Sequence, residues 1–167
     1  MSKLAVRKHP KLPLPAYRAG HVFFITVATS YKKHPWFSRY WELASEAAEL
    51  LQTVSRNRST ELFAWCIMPD HCHFVLRDDD VIAFVRQFKG KLTPVARAFD
   101  KSRSLWQRSF HDHALRNTES VLEAAGYVWE NPVRAGLVEF PEEYSLSGSL
   151  TWPQWRSAYT QLATDRA

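Results

Sequence analysis

Apolar residues along the chain follow two periods, β-type runs and stripes at helical spacing, and their succession predicts the elements. His21-Val22-Phe23-Phe24-Ile25-Thr26-Val27-Ala28-Thr29 is rich in β-branched and aromatic residues and predicts a strand buried on both faces. From about Arg39 to Arg56, Leu43, Ala47, Leu50, Leu51 and Val54 recur at helical spacing, with Ser38 placed to cap the helix. Glu61–Ile67 and His71–Arg77 read as two further strands. The turn between them contains Pro69 and Asp70 and is short enough for an antiparallel hairpin. Val81, Phe84, Val85, Phe88 and Leu92 mark a second helix, capped by Asp79 or Asp80. Gly90 weakens that helix, and Thr93-Pro94 predicts a kink or a restart. Leu105–Leu115 predicts a fourth strand. A third helix follows, capped by Asn117 or Thr118 and closed near Glu130 by Pro132.

The order β-α-β-β-α-β followed by a further helix predicts an α+β fold, a ferredoxin-like split βαβ sandwich. A chain of 167 residues is read as one domain: a basic arm over 1–16 broken by prolines, a core over 17–140, and a tail over 141–167. The tail carries Tyr144, Trp152, Trp155 and Tyr159 and is expected to pack back on the core.

Composition narrows the partner and the compartment. A hydrophobic content of 46% excludes a disordered chain. The excess of 22 Lys and Arg over 17 Asp and Glu suits a polyanion such as nucleic acid, although a solvated basic surface has the same composition. Two cysteines, Cys66 and Cys72, beside one tight turn make no disulfide framework, which points to a reducing cytoplasm. No apolar run reaches the ~18 to 20 residues of a membrane span.

Candidate chemistry centres on His71-Cys72-His73. Side chains alternate across a strand, so the two imidazoles share one face and Cys72 takes the other. On the pair alone, a half-built metal site and an ordinary strand surface are both open. The third helix adds a second signal. Val121, Leu122, Ala125, Val128 and Trp129 form its packing stripe, Tyr127 falls nearly opposite, and Asn131 lies one turn on from Tyr127. Two imidazoles and an amide oxygen would hold a divalent cation with open positions, suited to a phosphate oxygen. A tyrosine hydroxyl beside it could attack phosphorus in line. A lone Asn131 before proline would also serve as turn chemistry. The ligand types permit zinc, but oxygen-rich phosphate chemistry favours Mg²⁺ or Mn²⁺.

Three separated segments carry a family resemblance. Met68-Pro69-Asp70-His71-Cys72-His73, Trp106-Gln107-Arg108-Ser109-Phe110-His111-Asp112-His113 and Tyr127-Val128-Trp129-Glu130-Asn131-Pro132-Val133-Arg134-Ala135-Gly136-Leu137-Val138 occur in this order. Together they resemble the single-tyrosine HUH transposases, most of all the REP-associated tyrosine transposases of bacteria. The likeness spans about residues 17–140. It implies a ferredoxin-like fold whose additional C-terminal helix carries the catalytic tyrosine. It also implies Mg²⁺- or Mn²⁺-dependent nicking and joining of single-stranded DNA. His71 and His73 take the metal-binding places, with Cys72 where an aliphatic residue is usual. Asn131 matches the third ligand, and Tyr127 takes the place of the nucleophile that forms a 5′-phosphotyrosine. The implied partner is a hairpin from repetitive extragenic palindromes, met as folded single strand by a cytoplasmic, nucleoid-associated monomer or homodimer. Arg86, Lys89, Arg97, Arg108 and Arg134, with Lys91, Lys101 and Arg103 and aromatics such as Trp106, are the candidate DNA contacts.

Two rival readings stand beside this one. A catalytically idle hairpin-binding regulator would bind with strong salt dependence and never cleave. A metal-stabilised structural domain would unfold on chelation. His111-Asp112-His113 repeats the His-X-His pattern on a second predicted strand and is a candidate for contact with DNA or with the active site.

Overall fold

The computed structural model describes residues 12–30, 33–116 and 119–165. Most of the basic arm, and the expected caps Asn117 and Thr118, lie outside them. The elements are β1 (Phe23–Ala28), α1 (Trp36–Arg39), α2 (Trp41–Asn57), β2 (Glu61–Met68), β3 (His71–Arg77), α3 (Val81–Phe99), β4 (His111–Ala114), α4 (Val121–Trp129), α5 (Asn131–Arg134), β5 (Ser147–Gly148) and α6 (Trp155–Asp165). The strands form one antiparallel sheet in the order β4-β1-β3-β2-β5. Its first four strands have the order that two interleaved βαβ units produce, as the ferredoxin-like pattern predicts.

Strand alternation sends each side chain to one of two cores. Phe23, Ile25 and Val27 of β1 and Cys72, Phe74 and Leu76 of β3 meet α2 and α3 through Leu43, Leu51, Phe84 and Phe88. On the opposite face, Ala64, Cys66, Met68 and Val75 meet Ala125, Val128 and Trp129 of α4 and Trp155 of α6. An irregularity in β2 between Leu62 and Ala64 puts Phe63 into this second core as well. The tail is part of that packing: β5 pairs with β2, and Trp155 lies 4.9 Å from Trp129. A Cβ on Gly126 of α4 would come within 2.5 Å of Leu162, so α6 sits hard against α4 at that position.

Several boundaries differ from the periodicity, each for a local reason. β1 is not buried on both faces. Phe24, Thr26 and Ala28 are half-buried because α4 lies over β2 and β3 and leaves that face of β1 partly open. Ser38 does not cap the long helix; it belongs to α1, donates to Pro35 O, and Tyr40 stands at the start of α2. α3 runs unbroken through Pro94, where the Thr93 hydroxyl donates to Lys89 O. Its cap is Asp80, whose carboxylate accepts from Ala83 N at 3.0 Å.

The strand expected over Leu105–Leu115 shrinks to His111–Ala114, with one bridge between Thr29 and Trp106. Trp106 is buried beside Phe37 and Phe88, and its indole donates to Lys89 O, which draws the chain off the ladder. The cap of α4 is Ser120, accepting from Glu123 N. Pro132 does not end the helical path. It fits the first turn of α5, which closes at Gly136 in the left-handed region, φ 70°. Among the described residues no helix is long and apolar enough to cross a membrane.

One buried polar cluster ties α2 to the end of β3. Asp78 accepts from Arg58 Nε at 3.0 Å, from the Thr60 hydroxyl and from Asp80 N. Burial opposes its ionisation, but these bonds outweigh that cost and hold its carboxyl below the ordinary value. A depressed carboxyl stabilises the fold above its unfolded pKa, and that contribution is lost as pH falls through the folded pKa. Asp78→Asn is therefore expected to cost about 2–4 kcal/mol at pH 7 by urea melts. The gap between variant and parent should narrow below about pH 4.

Candidate active site

The two-residue turn Pro69-Asp70 makes β2 and β3 a tight hairpin, so His71 stands at the first position of β3. Thr26 pairs with His73 and Ala28 with His71 across β1, while Cys66 and Met68 pair with the same two residues across β2. Both imidazoles therefore lie on the α4 face of the sheet, as the alternation predicts. His73 is 9% exposed and His71 half-buried.

Their side chains converge. The two Nε2 atoms are 2.9 Å apart. His71 Nδ1 is 2.6 Å from Asp70 Oδ1, and His73 Nδ1 is 2.9 Å from Thr26 Oγ1. The Asp70 contact at Nδ1 leaves the other ring nitrogen of His71, Nε2, turned toward His73. Burial, reinforced by His71 and the Arg134 charge, lowers the His73 pKa to about 3, so this ring is neutral at physiological pH. At this distance two facing nitrogen lone pairs repel, so a proton or a cation belongs between the two Nε2 atoms. That donor set fits a divalent cation, with Asp70 and Thr26 as the outer partners that orient metal-bound histidines. Among the described residues no three His, Cys, Asp or Glu side chains gather to hold a metal, so a third protein donor would have to be of another type.

Tyr127 lies off the packed side of α4, opposite its apolar stripe, and is 37% exposed. The Phe24 ring lies 5.7 Å from the Tyr127 ring, edge-on, and 5.4 Å from His73. One chain thus places Tyr127 one aromatic ring away from the histidine pair. The Asn131 Nδ2 donates to Tyr127 O at 3.0 Å and to Val128 O at 3.3 Å, which leaves Oδ1 as the available acceptor. No hydrogen bond joins Asn131 to either imidazole among the described residues.

The candidate DNA contacts fall in two places. Arg86 and Arg97 are exposed on α3, on the far side of the sheet from Tyr127, and Arg108 is exposed in the loop between α3 and β4. Lys89 donates to Gln107 O and pins that loop. Arg134 alone of the five lies at Tyr127, with its guanidinium 3.9 Å from the ring centroid. His111 and His113 pair with Thr26 and Phe24, so the second His-X-His faces the same side as the first, one strand beyond β1. His113 is 3.2 Å from Glu119. Cys72 lies in the opposite core and Cys66 beside His73 on the paired strand; burial pushes the Cys66 thiol up to about 12 and Cys72 well above its ordinary value, so neither is reactive.

Thr26, Phe24 and Asp70 touch the histidine pair of the candidate site, and spacing alone does not reveal them. Asp70 was visible only as a turn residue beside a histidine, and Thr26 and Phe24 acquire roles through cross-strand register. Asp70→Ala is expected to weaken Mn²⁺ binding about 10- to 100-fold in calorimetric titration, because His71 loses its orienting partner. An unchanged affinity would show that Asp70 is only a turn residue.

Residues 21–131 match the family described as Transposase IS200 like. The chain is 27% identical over 135 residues to the REP-associated tyrosine transposase of Escherichia coli strain K12, covering 78% of each chain. It is 26% identical over 145 residues to a similarly described chain of Haemophilus influenzae, covering 78% of this chain and 81% of that one. Among solved structures it is similar to a REP-associated tyrosine transposase bound to a REP hairpin. That match has a TM-score of 0.66 and 25% identity over 84% of this chain and 81% of the other.

Proposed function

The chain belongs to the IS200-like transposase family, and on that premise we propose that it cleaves and rejoins hairpin-bearing single-stranded DNA through Tyr127. The observation that carries the reading is the convergence of the His71 and His73 Nε2 atoms one aromatic ring from Tyr127. The bound hairpin of the structural relative supports a hairpin as the partner.

His71 and His73, with Asn131 Oδ1 as third donor, would hold Mg²⁺ or Mn²⁺. That cation supplies a Lewis acid for a non-bridging phosphate oxygen. The chain's own residues do the rest. Tyr127 Oη attacks phosphorus and gives up its phenolic proton to solvent. The bond from phosphorus to the 3′ oxygen breaks, and that oxygen takes a proton to leave as a 3′ hydroxyl. The 5′ phosphate stays on Tyr127 as a phosphodiester, so a 3′ hydroxyl can reverse the step and join strands. Phe24 closes one side of the tyrosine and keeps water from that flank. The contiguity of Tyr127, Phe24 and His73 within one chain favours attack in cis.

The test is cleavage of a labelled hairpin oligonucleotide with Mn²⁺ or Mg²⁺. A shorter product with a free 3′ hydroxyl, abolished by EDTA, is expected. Salt-sensitive binding without cleavage under any divalent condition would replace this reading with that of a regulatory hairpin binder.

A further inference from the structure

Arg134 is held at Tyr127 by three separate contacts. Its guanidinium carbon stacks 3.9 Å from the ring centroid. Nη2 donates to Tyr127 O at 2.6 Å, and Nη1 donates to Glu130 Oε2 at 3.0 Å. The backbone explains how it gets there. Glu130 N bonds to Gly126 O and Arg134 N to Glu130 O, so α4 and α5 continue one helical path through Pro132. Residues 127, 131 and 134 then recur at spacings of four and three, on one side of that path. Phe24 meets the Tyr127 ring edge-on at 5.7 Å. Side chains of opposite character thus limit how far a ring that is more than a third exposed can turn.

We propose that Arg134 is the positioning residue for the nucleophile, its planar guanidinium clamping the Tyr127 ring in the orientation from which the hydroxyl meets the phosphate. This rests on the reading of Tyr127 given above. Two simpler roles make different demands on the same side chain. A cap for the end of α4 needs only a cation that reaches the Tyr127 carbonyl, which lysine supplies. A DNA-backbone contact needs only charge, and its loss weakens binding. Clamping a ring needs the flat, delocalised fork that lysine lacks.

The experiment measures covalent adduct formation in a single turnover at saturating hairpin DNA with Mn²⁺, beside hairpin affinity and thermal stability, for the parent, Arg134→Lys and Arg134→Met. The expected result is an adduct rate lowered about 10- to 100-fold in both variants, from misplacement of the attacking oxygen by an ångström or less. Hairpin affinity should change less than about twofold, short of the loss that an absent phosphate contact brings. Full recovery of the rate by Arg134→Lys would overturn the proposal in favour of a helix cap. Weakened affinity with a normal rate at saturation would overturn it in favour of a backbone contact. A parent that forms no adduct at all would remove the reading of Tyr127 as nucleophile, whereas a parent and Arg134→Met with equal rates would remove only the clamp.

Discussion

Tyr127→Phe is expected to reduce hairpin cleavage to background, a loss on the order of ten-thousandfold or more, because the atom that bonds to phosphorus is gone. The same substitution should leave the fold and hairpin affinity nearly untouched. Tyr127 lies off the packed side of α4, and that helix is held by Ala125, Val128 and Trp129 against the sheet and by Trp155 and Leu162 of α6. Phenylalanine keeps the ring, so the Phe24 and Arg134 contacts survive. Circular dichroism and a hairpin mobility shift check that the loss is chemical. Residual cleavage at a tenth of the parent rate would mean that another group, or water, attacks phosphorus.

The second large effect is at the histidine pair. His73→Ala should lower the single-turnover rate about a thousandfold, equivalent to ~4 kcal/mol of charge stabilisation in the transition state. His73 is chosen over His71 because it is the more buried, is neutral at physiological pH, and is oriented by Thr26 from the adjacent strand. Removing it leaves the Thr26 hydroxyl without its partner, a stability cost of ~1–3 kcal/mol that a melt will register separately. Raising Mn²⁺ concentration should recover part of the lost rate if the deficit is metal affinity. A rate unchanged in His73→Ala and insensitive to chelator would remove the cation from the account.

The fold was largely legible because its strands and helices carry strong periods. The hairpin around Pro69-Asp70 and the α3 stripe of Phe84, Val85 and Phe88 emerge close to their predicted places. The boundaries that moved did so where side chains took partners that periodicity does not show. Trp106 leaves the β4 ladder for a core it shares with Phe37 and Phe88, and Ser38 turns to Pro35 instead of capping α2. The tail is similar, since Ser147 and Gly148 carry no strand signal and join the sheet only because β2 offers an open edge.

At the candidate site, His71, His73 and Tyr127 stand out from alternation and an off-stripe tyrosine. Thr26, Phe24 and Asp70 could not, because their parts depend on the register of β1 against β3 and on a turn rotamer. The basic residues divide for the same reason. Arg86 and Arg97 follow α3 to one side of the sheet while Arg134 follows α4 to the other, and nothing in a list of charges distinguishes the two.

The central claim is a covalent bond between Tyr127 and DNA, and peptide mapping tests it most directly. The protein is incubated with a hairpin oligonucleotide and Mn²⁺, denatured, digested with protease and nuclease, and the nucleotide-bearing peptide is sequenced by mass spectrometry. The account predicts a 5′-phosphate mass on Tyr127, absent when EDTA is added before the DNA. A nucleotide mass on any other residue, or cleaved DNA with no protein-bound nucleotide, would contradict it.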